Sequence, residues 1–254
     1  MNNITNGTSD FDPSVHPELK IAGAINFYGL FVLLGVGVPG NLMVIAVSTQ
    51  RHNRNKSYSL YMGALAVFDI IGLLVPGLYR WILHQFSMQS DGSCKWGKYI
   101  SSTNFGCSVF IIIAMTLDRY LAVTSPMNVR RFSSVNRTRK AIIGIVISMV
   151  AFNIPFYVYT KKIAGTVICD TFNSDALIAK VYLWLSMALT TILPFVVLVA
   201  LNAKIINTLS RASRLDTLKD IGSTLRRCRS YQARQVTRML VAVSIAFIVL
   251  TSPF

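Results

Sequence analysis

The chain has 254 residues, of which 53% are hydrophobic and 14% charged, with a mean hydropathy of +0.51. A soluble domain carries about 25% charged residues, so this composition excludes an ordinary water-soluble fold and points to a membrane protein. The net charge of +15 would suggest nucleic acid if it formed one patch on a soluble domain. Here the basic residues fall between long apolar runs, so the charge reads as membrane topology, with the lipid bilayer as partner and no nucleic acid.

The first residues, MNNITNGTSDFDP, are polar and acidic and lack the basic-then-apolar order of a signal peptide. Residues 1–20 read as an extracellular disordered tail. Asn3-Ile4-Thr5 and Asn6-Gly7-Thr8 are adjacent glycosylation triplets, which suit an external N-terminus. Residues 21–254 read as a transmembrane helix bundle. Its apolar spans lie near 22–49, 58–83, 97–123, 140–160, 177–207 and 235–254, each long enough to cross a bilayer with some tilt.

Lysine and arginine set the orientation. Arg51, Arg54 and Lys56 follow the first span, and Arg130, Arg131, Arg137, Arg139 and Lys140 follow the third. Lys204, Arg211, Arg214, Lys219, Arg226, Arg227, Arg229, Arg234 and Arg238 surround the loop after the fifth. These make 17 of the 25 basic residues, and the positive-inside rule puts them in the cytoplasm and the N-terminus outside. Tyr79, Trp81, Trp96, Tyr99, Tyr157, Tyr159, Tyr182 and Trp184 then fall near the outer interface, where amphipathic rings prefer to lie. Five of the eight prolines lie inside spans, where a membrane helix tolerates them as kinks.

The third span organises the rest. From Cys94 to Arg119 a helix covers roughly 37 Å at 1.5 Å per residue, more than the roughly 30 Å of hydrocarbon. Cys94 therefore lies beyond the outer face and Asp118-Arg119-Tyr120 at the inner one. Asp69 is the one acid deep in a span. A charge at the bilayer centre costs about 2.5–3.5 kcal/mol even on the lenient scale, so it needs partners, a cavity or an ion. Asn41, Asn104 and Ser108 are the candidates at similar depth, and the last two share a helix face by their spacing of four. One carboxylate with amide and hydroxyl oxygens suits a hard monovalent cation or a proton.

Of four cysteines, Cys94 and Cys169 fall on the oxidising exterior, where a bridge would tie the loop after the fourth span across the bundle mouth. Cys107 and Cys228 read as free. The segment KKIAGTVICDTF, 161–172, has the composition of a short hairpin. His16, His52 and His84 are scattered, and no phosphate loop or zinc spacing appears, so no enzyme is expected. The chain stops at Thr251-Ser252-Pro253-Phe254, in mid-span, and reads as a fragment.

Taken together, Gly40-Asn41, Leu65-Ala66-x-x-Asp69, Cys94, Asp118-Arg119-Tyr120, Pro126, Pro155, Cys169, Pro194, and Phe247 with Pro253 resemble the rhodopsin-like (class A) G-protein-coupled receptors in order and spacing. The resemblance covers essentially everything after residue 20. It implies an all-α seven-transmembrane helix bundle of which six helices are present, the sixth incomplete and the seventh absent. It also implies no cofactor beyond an allosteric sodium ion, at Asp69, Asn104, Ser108 and Asn41. Asp118, Arg119, Tyr120 and Met127 would couple to a heterotrimeric G protein, and Val109, Pro194, Phe247 and Pro253 would form the activation switch. Several positions depart from the family pattern. Ile145 stands near the usual tryptophan of the fourth helix, Asn202 where the fifth usually has tyrosine, and Ala233 in place of an acid. The sixth helix reads Leu250-Thr251-Ser252-Pro253.

Amine receptors carry an aspartate at the place of Ser101. The hairpin-like outer loop and the SLYMGALAVFD segment resemble peptide receptors, particularly invertebrate neuropeptide receptors. A peptide ligand is expected in a pocket of Tyr79, Arg80, Lys98, Ser101, Ser102 and Phe105. Arg80 and Lys98 would meet an acidic group of the ligand or snorkel to lipid headgroups. Alternatives are a lipid- or retinal-responsive receptor of the same fold and an ion or proton transporter using Asp69.

Overall fold

Apolar runs that must satisfy every backbone group without water can only be helical here, and helices dominate the computed structural model, which describes residues 17–86, 88, 90–124, 134–163, 169–171 and 177–218. Asn3, Asn6, Met127, Phe247, Pro253 and the sixth span lie outside the described residues. Among the described residues five helical spans are long and apolar enough to cross a membrane: Phe27–Thr49, Ser57–Leu83, Asp91–Thr124, Val135–Tyr159 and Leu177–Thr208.

The helices outrun the apolar stretches. The first begins at Pro17, inside the stretch read as tail, with proline at the helix start where its missing N–H costs nothing. The third starts at Asp91 rather than near 97 because Ser90 and Ser93 cap it reciprocally. The Ser90 N–H donates to Ser93 Oγ at 2.8 Å, and the Ser93 N–H to Ser90 Oγ at 3.1 Å, the capping-box pattern. Its 34 residues span roughly 51 Å, so polar turns project past the hydrocarbon at both ends.

Prolines shape the second, fourth and fifth spans. Pro76 has no N–H for the carbonyl one turn back, and the backbone widens into a π-helical stretch over Leu73–Tyr79 before resuming at Arg80–Gln85. A second π-helical stretch, Ala188–Ile192, precedes Pro194 in the fifth span. In the fourth, Val135–Phe152 ends at Asn153 and the helix restarts as Ile154–Tyr159 around Pro155. There the Phe156 N–H donates to the Asn153 carbonyl at 3.0 Å instead of the Phe152 carbonyl one full turn back. Tyr182 of the fifth span donates its hydroxyl to that Phe152 carbonyl at 2.8 Å. A part-buried acceptor left without a donor costs about 1–3 kcal/mol, so this bond fixes where the fifth span docks on the fourth.

The third span lies against the second, fourth and fifth. Of its most apolar window 39% is buried, so among the described spans the third is the axis. Tyr61, Ile111 and Met115 form the inner core, flanked by Leu65, Phe68 and Ile145. Phe156 and Ala179 with Tyr159 and Tyr182 form the outer one. Gly106 permits the crossing of third and fourth spans, since a Cβ there would stand 2.7 Å from Met149 Sδ.

After the fourth span the chain forms the expected hairpin. Strand β1, Thr160–Lys162, pairs antiparallel with β2, Cys169–Thr171, in the register Thr160 with Thr171, Lys161 with Asp170, and Lys162 with Cys169.

Candidate functional site

The side chains with chemistry are strung along the third span in layers. At its outer end Cys94 is disulfide-bonded to Cys169, 75 residues away, as the topology led one to expect. A second tie lies one turn earlier. Asp91 Oδ1 accepts the backbone N–H of Lys162 at 3.0 Å, and Asp91 Oδ2 pairs with Lys95 Nζ at 2.7 Å. The hairpin is thus held to the start of the third span through both strands. Asp91 was not singled out by sequence. Its position in the first turn of a capped helix, four before a lysine, was the available signal.

Below this lid lie the expected pocket residues. Arg80 follows the π-helical stretch directly, and its Cγ and Cδ lie 3.7 Å from where a Cβ on Gly97 would stand, so its stem runs along the third span. Lys98 is half-buried, with Nζ 5.7 Å from the centroid of the Phe156 ring. Tyr79 and Phe105 are exposed and Ser102 half-buried, while the Ser101 Oγ is buried with no hydrogen-bond partner. Around the rim, Trp96 stacks at 4.9 Å on Tyr157 and 6.0 Å from Tyr99, and Trp81 meets Phe27 and Phe31 of the first span.

At mid-depth the second and third spans face each other across Gly72. A Cβ there would stand 2.9 Å from Asn104 Nδ2, so the Asn104 amide occupies the space that the missing side chain leaves, one turn from Asp69. Asn104 Oδ1 is buried without a partner. Asp69 is half-buried, and among the described residues no donor or cation meets its carboxylate. Ser108 is half-buried one turn further inward. Asn41 donates its amide to the Gly37 carbonyl of its own helix at 2.9 Å, which leaves Oδ1 as the atom it can offer. A carboxylate on the second span and an orphaned amide oxygen on the third are donors of the kind a small hard cation takes. Among the described residues no group of three or more His, Cys, Asp and Glu is placed to hold a metal ion. Val109 and Pro194 are both fully buried, on spans that pack together. Cys107 is free and buried.

At the inner end Arg119 Nη2 lies 3.7 Å from Asp118 Oδ2, with both side chains largely buried. The guanidinium stacks over the Tyr58 ring, 4.7 Å from its centroid, while Nε is buried without a partner. Tyr120 lies 6.0 Å from Lys204 Nζ of the fifth span. Sequence reading missed Tyr58. It lies in the first turn of the second span, and only the rotation of that helix aims its ring at Arg119. Asn153 and Asn202 were also unassigned as polar sites, and each keeps a buried Oδ1 with no partner.

With this arrangement in place, comparison with known proteins is informative. The profile of the 7 transmembrane receptor (rhodopsin family) matches residues 40–254. Relatives include the Galanin-like G-protein coupled receptor npr-9 of Caenorhabditis elegans, 27% identical over 93% of this chain and 60% of its own length. The G-protein coupled receptor homolog Q2/3L of Sheeppox virus is 32% identical over 74% of this chain and 50% of its own. The Trissin receptor of Drosophila melanogaster is 23% identical over 69% and 28%. The chain spans 60% or less of the length of each of these relatives.

Proposed function

Since the chain belongs to the rhodopsin family of seven-transmembrane receptors, a multi-pass family of the plasma membrane, we propose that it is a receptor for an extracellular neuropeptide that signals through a heterotrimeric G protein. One observation carries the reading. A single helix, the third, bears a doubly tied lid at its outer end and a weakly tethered arginine at its inner end. Anything that presses between lid and helix acts on the same rigid body that presents Arg119 to the cytoplasm. Signalling is then a population shift between two packings, driven by the ligand's differential affinity for them. Val109 and Pro194, buried on packed spans, belong to the activation switch, to which the family pattern adds Phe247 and Pro253. Asp118, Arg119, Tyr120 and Met127 form the G-protein face. Tyr79, Arg80, Lys98, Ser101, Ser102 and Phe105 line the ligand pocket. Likeness to a galanin-like receptor and a trissin receptor favours a peptide over a lipid or retinal, and the family favours a receptor over a transporter using Asp69.

A synthetic neuropeptide library screened on cells expressing the receptor, with G-protein activation as readout, tests this. At least one peptide is expected to activate. Activation by a lipid or an amine and by no peptide would sink the reading.

Asp69, Asn104, Ser108 and Asn41 hold a sodium ion in this proposal, the carboxylate supplying charge and the amide and hydroxyl oxygens the remaining ligands. Replacing choline chloride by sodium chloride at constant ionic strength should raise the unfolding temperature of the wild type and leave Asp69→Asn unmoved. An equal rise in both would refute the assignment.

A further inference from the structure

Beneath the lid the charges do not balance. The outer-rim acids whose side chains are described include Asp91 and Asp170. Asp91 holds Lys95 and the Lys162 N–H, and Asp170 stands opposite Lys161 in the hairpin register. Arg80 and Lys98 have no carboxylate among the described residues.

Helix phase shows which way Lys98 points. Residues two apart on a helix lie about 200° around it, so Lys98 is on nearly the opposite side from Trp96, which is 53% exposed at the rim. The Lys98 ammonium sits over Phe156, a ring only 6% exposed in the outer core. A lysine serving headgroups runs its stem outward along the lipid face, and this one runs inward. Lys98 is also one turn below Cys94, the anchor of the lid, and Gly97 beside it carries the stem of Arg80. An exposed Arg80 and a half-buried Lys98 thus lie on facing spans just below the disulfide that anchors the hairpin, with no counter-charge from the described residues. A partly desolvated cation next to another is unfavourable unless something anionic joins it.

We propose that Arg80 and Lys98 form an anion-binding subsite directly under the lid, and that the ligand places a carboxylate there, from an acidic side chain or a free C-terminus. The proposal rests on the peptide reading above and names the chemistry of the group that enters first contact with the third span. Arg80 offers a planar fork to the carboxylate and Lys98 a point charge.

The test uses the receptor in lipid nanodiscs and paired pools of synthetic peptides. One pool carries Asp, Glu and free C-termini, and its partner carries Asn, Gln and amidated termini at the same positions. Retained peptides are counted by mass spectrometry. The acidic pool should be retained about tenfold or more over its amide partner. Arg80→Gln with Lys98→Gln should remove that preference, and Arg80→Lys with Lys98→Arg should keep part of it. Equal retention of both pools by the wild type would overturn the anion subsite and leave the peptide reading standing. Retention of no pool would overturn both. Nanodiscs with and without phosphatidylglycerol separate the two sources of anion. If the Gln double variant changes only the response to phosphatidylglycerol and not peptide preference, the cations serve headgroups and the proposal fails.

Discussion

Arg119→Ala in the complete receptor should reduce ligand-stimulated nucleotide exchange on the G protein to the unstimulated level while ligand affinity stays within a few-fold. Arg119 is held by two modest contacts. Its ion pair with Asp118 spans 3.7 Å, beyond hydrogen-bond length. Its stacking on Tyr58 is worth about 0.5–2 kcal/mol as a partly desolvated cation–π contact. Its Nε has no partner. A cation so loosely tethered reorients when the inner ends of the helices separate, and it then offers donors to whatever docks there. Alanine removes those donors and leaves the outer mouth untouched, some 21 residues up the same helix, or roughly 30 Å. Exchange assays with the wild type and variant at matched surface expression decide the matter. Full signalling by the variant would refute the role given to Arg119. So would a loss of ligand affinity equal to the loss of signalling.

Replacing Cys94 and Cys169 together by serine should lower the unfolding temperature and weaken ligand binding by more than tenfold. In a freely unfolding chain, closing a loop of this length stabilises by about 4–5 kcal/mol. Helices threaded through a bilayer stay partly ordered after the bundle loosens, so a smaller effect of about 2–4 kcal/mol is expected. The Asp91–Lys162 contact remains in the variant and should keep the hairpin near its place. An additional Asp91→Asn change, which removes the charge, should therefore weaken binding further. Thermal unfolding followed by tryptophan fluorescence, and ligand binding in the same nanodiscs, give both numbers. Unchanged unfolding temperature and affinity would show that the lid contributes nothing to the mouth.

The two variants probe opposite ends of one helix, and their expected signatures differ. Loss at Arg119 separates binding from output, whereas loss of the disulfide damages binding itself. If both produced the same defect, the third span would not be acting as a rigid link between lid and arginine.

Much of this was legible in the one-dimensional sequence. Run length measured against a fixed hydrocarbon thickness located the five described spans. Basic bias gave the inside. Topology then left Cys94 and Cys169 as partners, and the β-branched residues around Cys169 signalled the hairpin. These quantities are either summed over many residues or fixed by connectivity, so no knowledge of helix rotation is needed to obtain them. The helix ends moved outward into polar turns: at Pro17, at the Ser90–Ser93 cap, at Val135 rather than 140, and at Leu218 rather than 207.

What tertiary structure decided concerns single side chains meeting across helices. Tyr58 under Arg119, Tyr182 on the Phe152 carbonyl at the helix break, Asn104 over Gly72 and Lys98 turned inward over Phe156 all depend on the rotation and crossing of neighbouring spans. A residue step turns a helix by about 100°, so a small change of phase would move any of these groups to a different neighbour. That phase is set by packing of the whole bundle: by Gly106 under Met149, by the π-helical stretches at Pro76 and Pro194, and by the break at Asn153. The sequence by itself determined that a helix runs from an external cysteine to a cytoplasmic arginine. Only the packed bundle determined what each face of that helix touches, because contact between helices is a property of their joint geometry and not of either sequence alone.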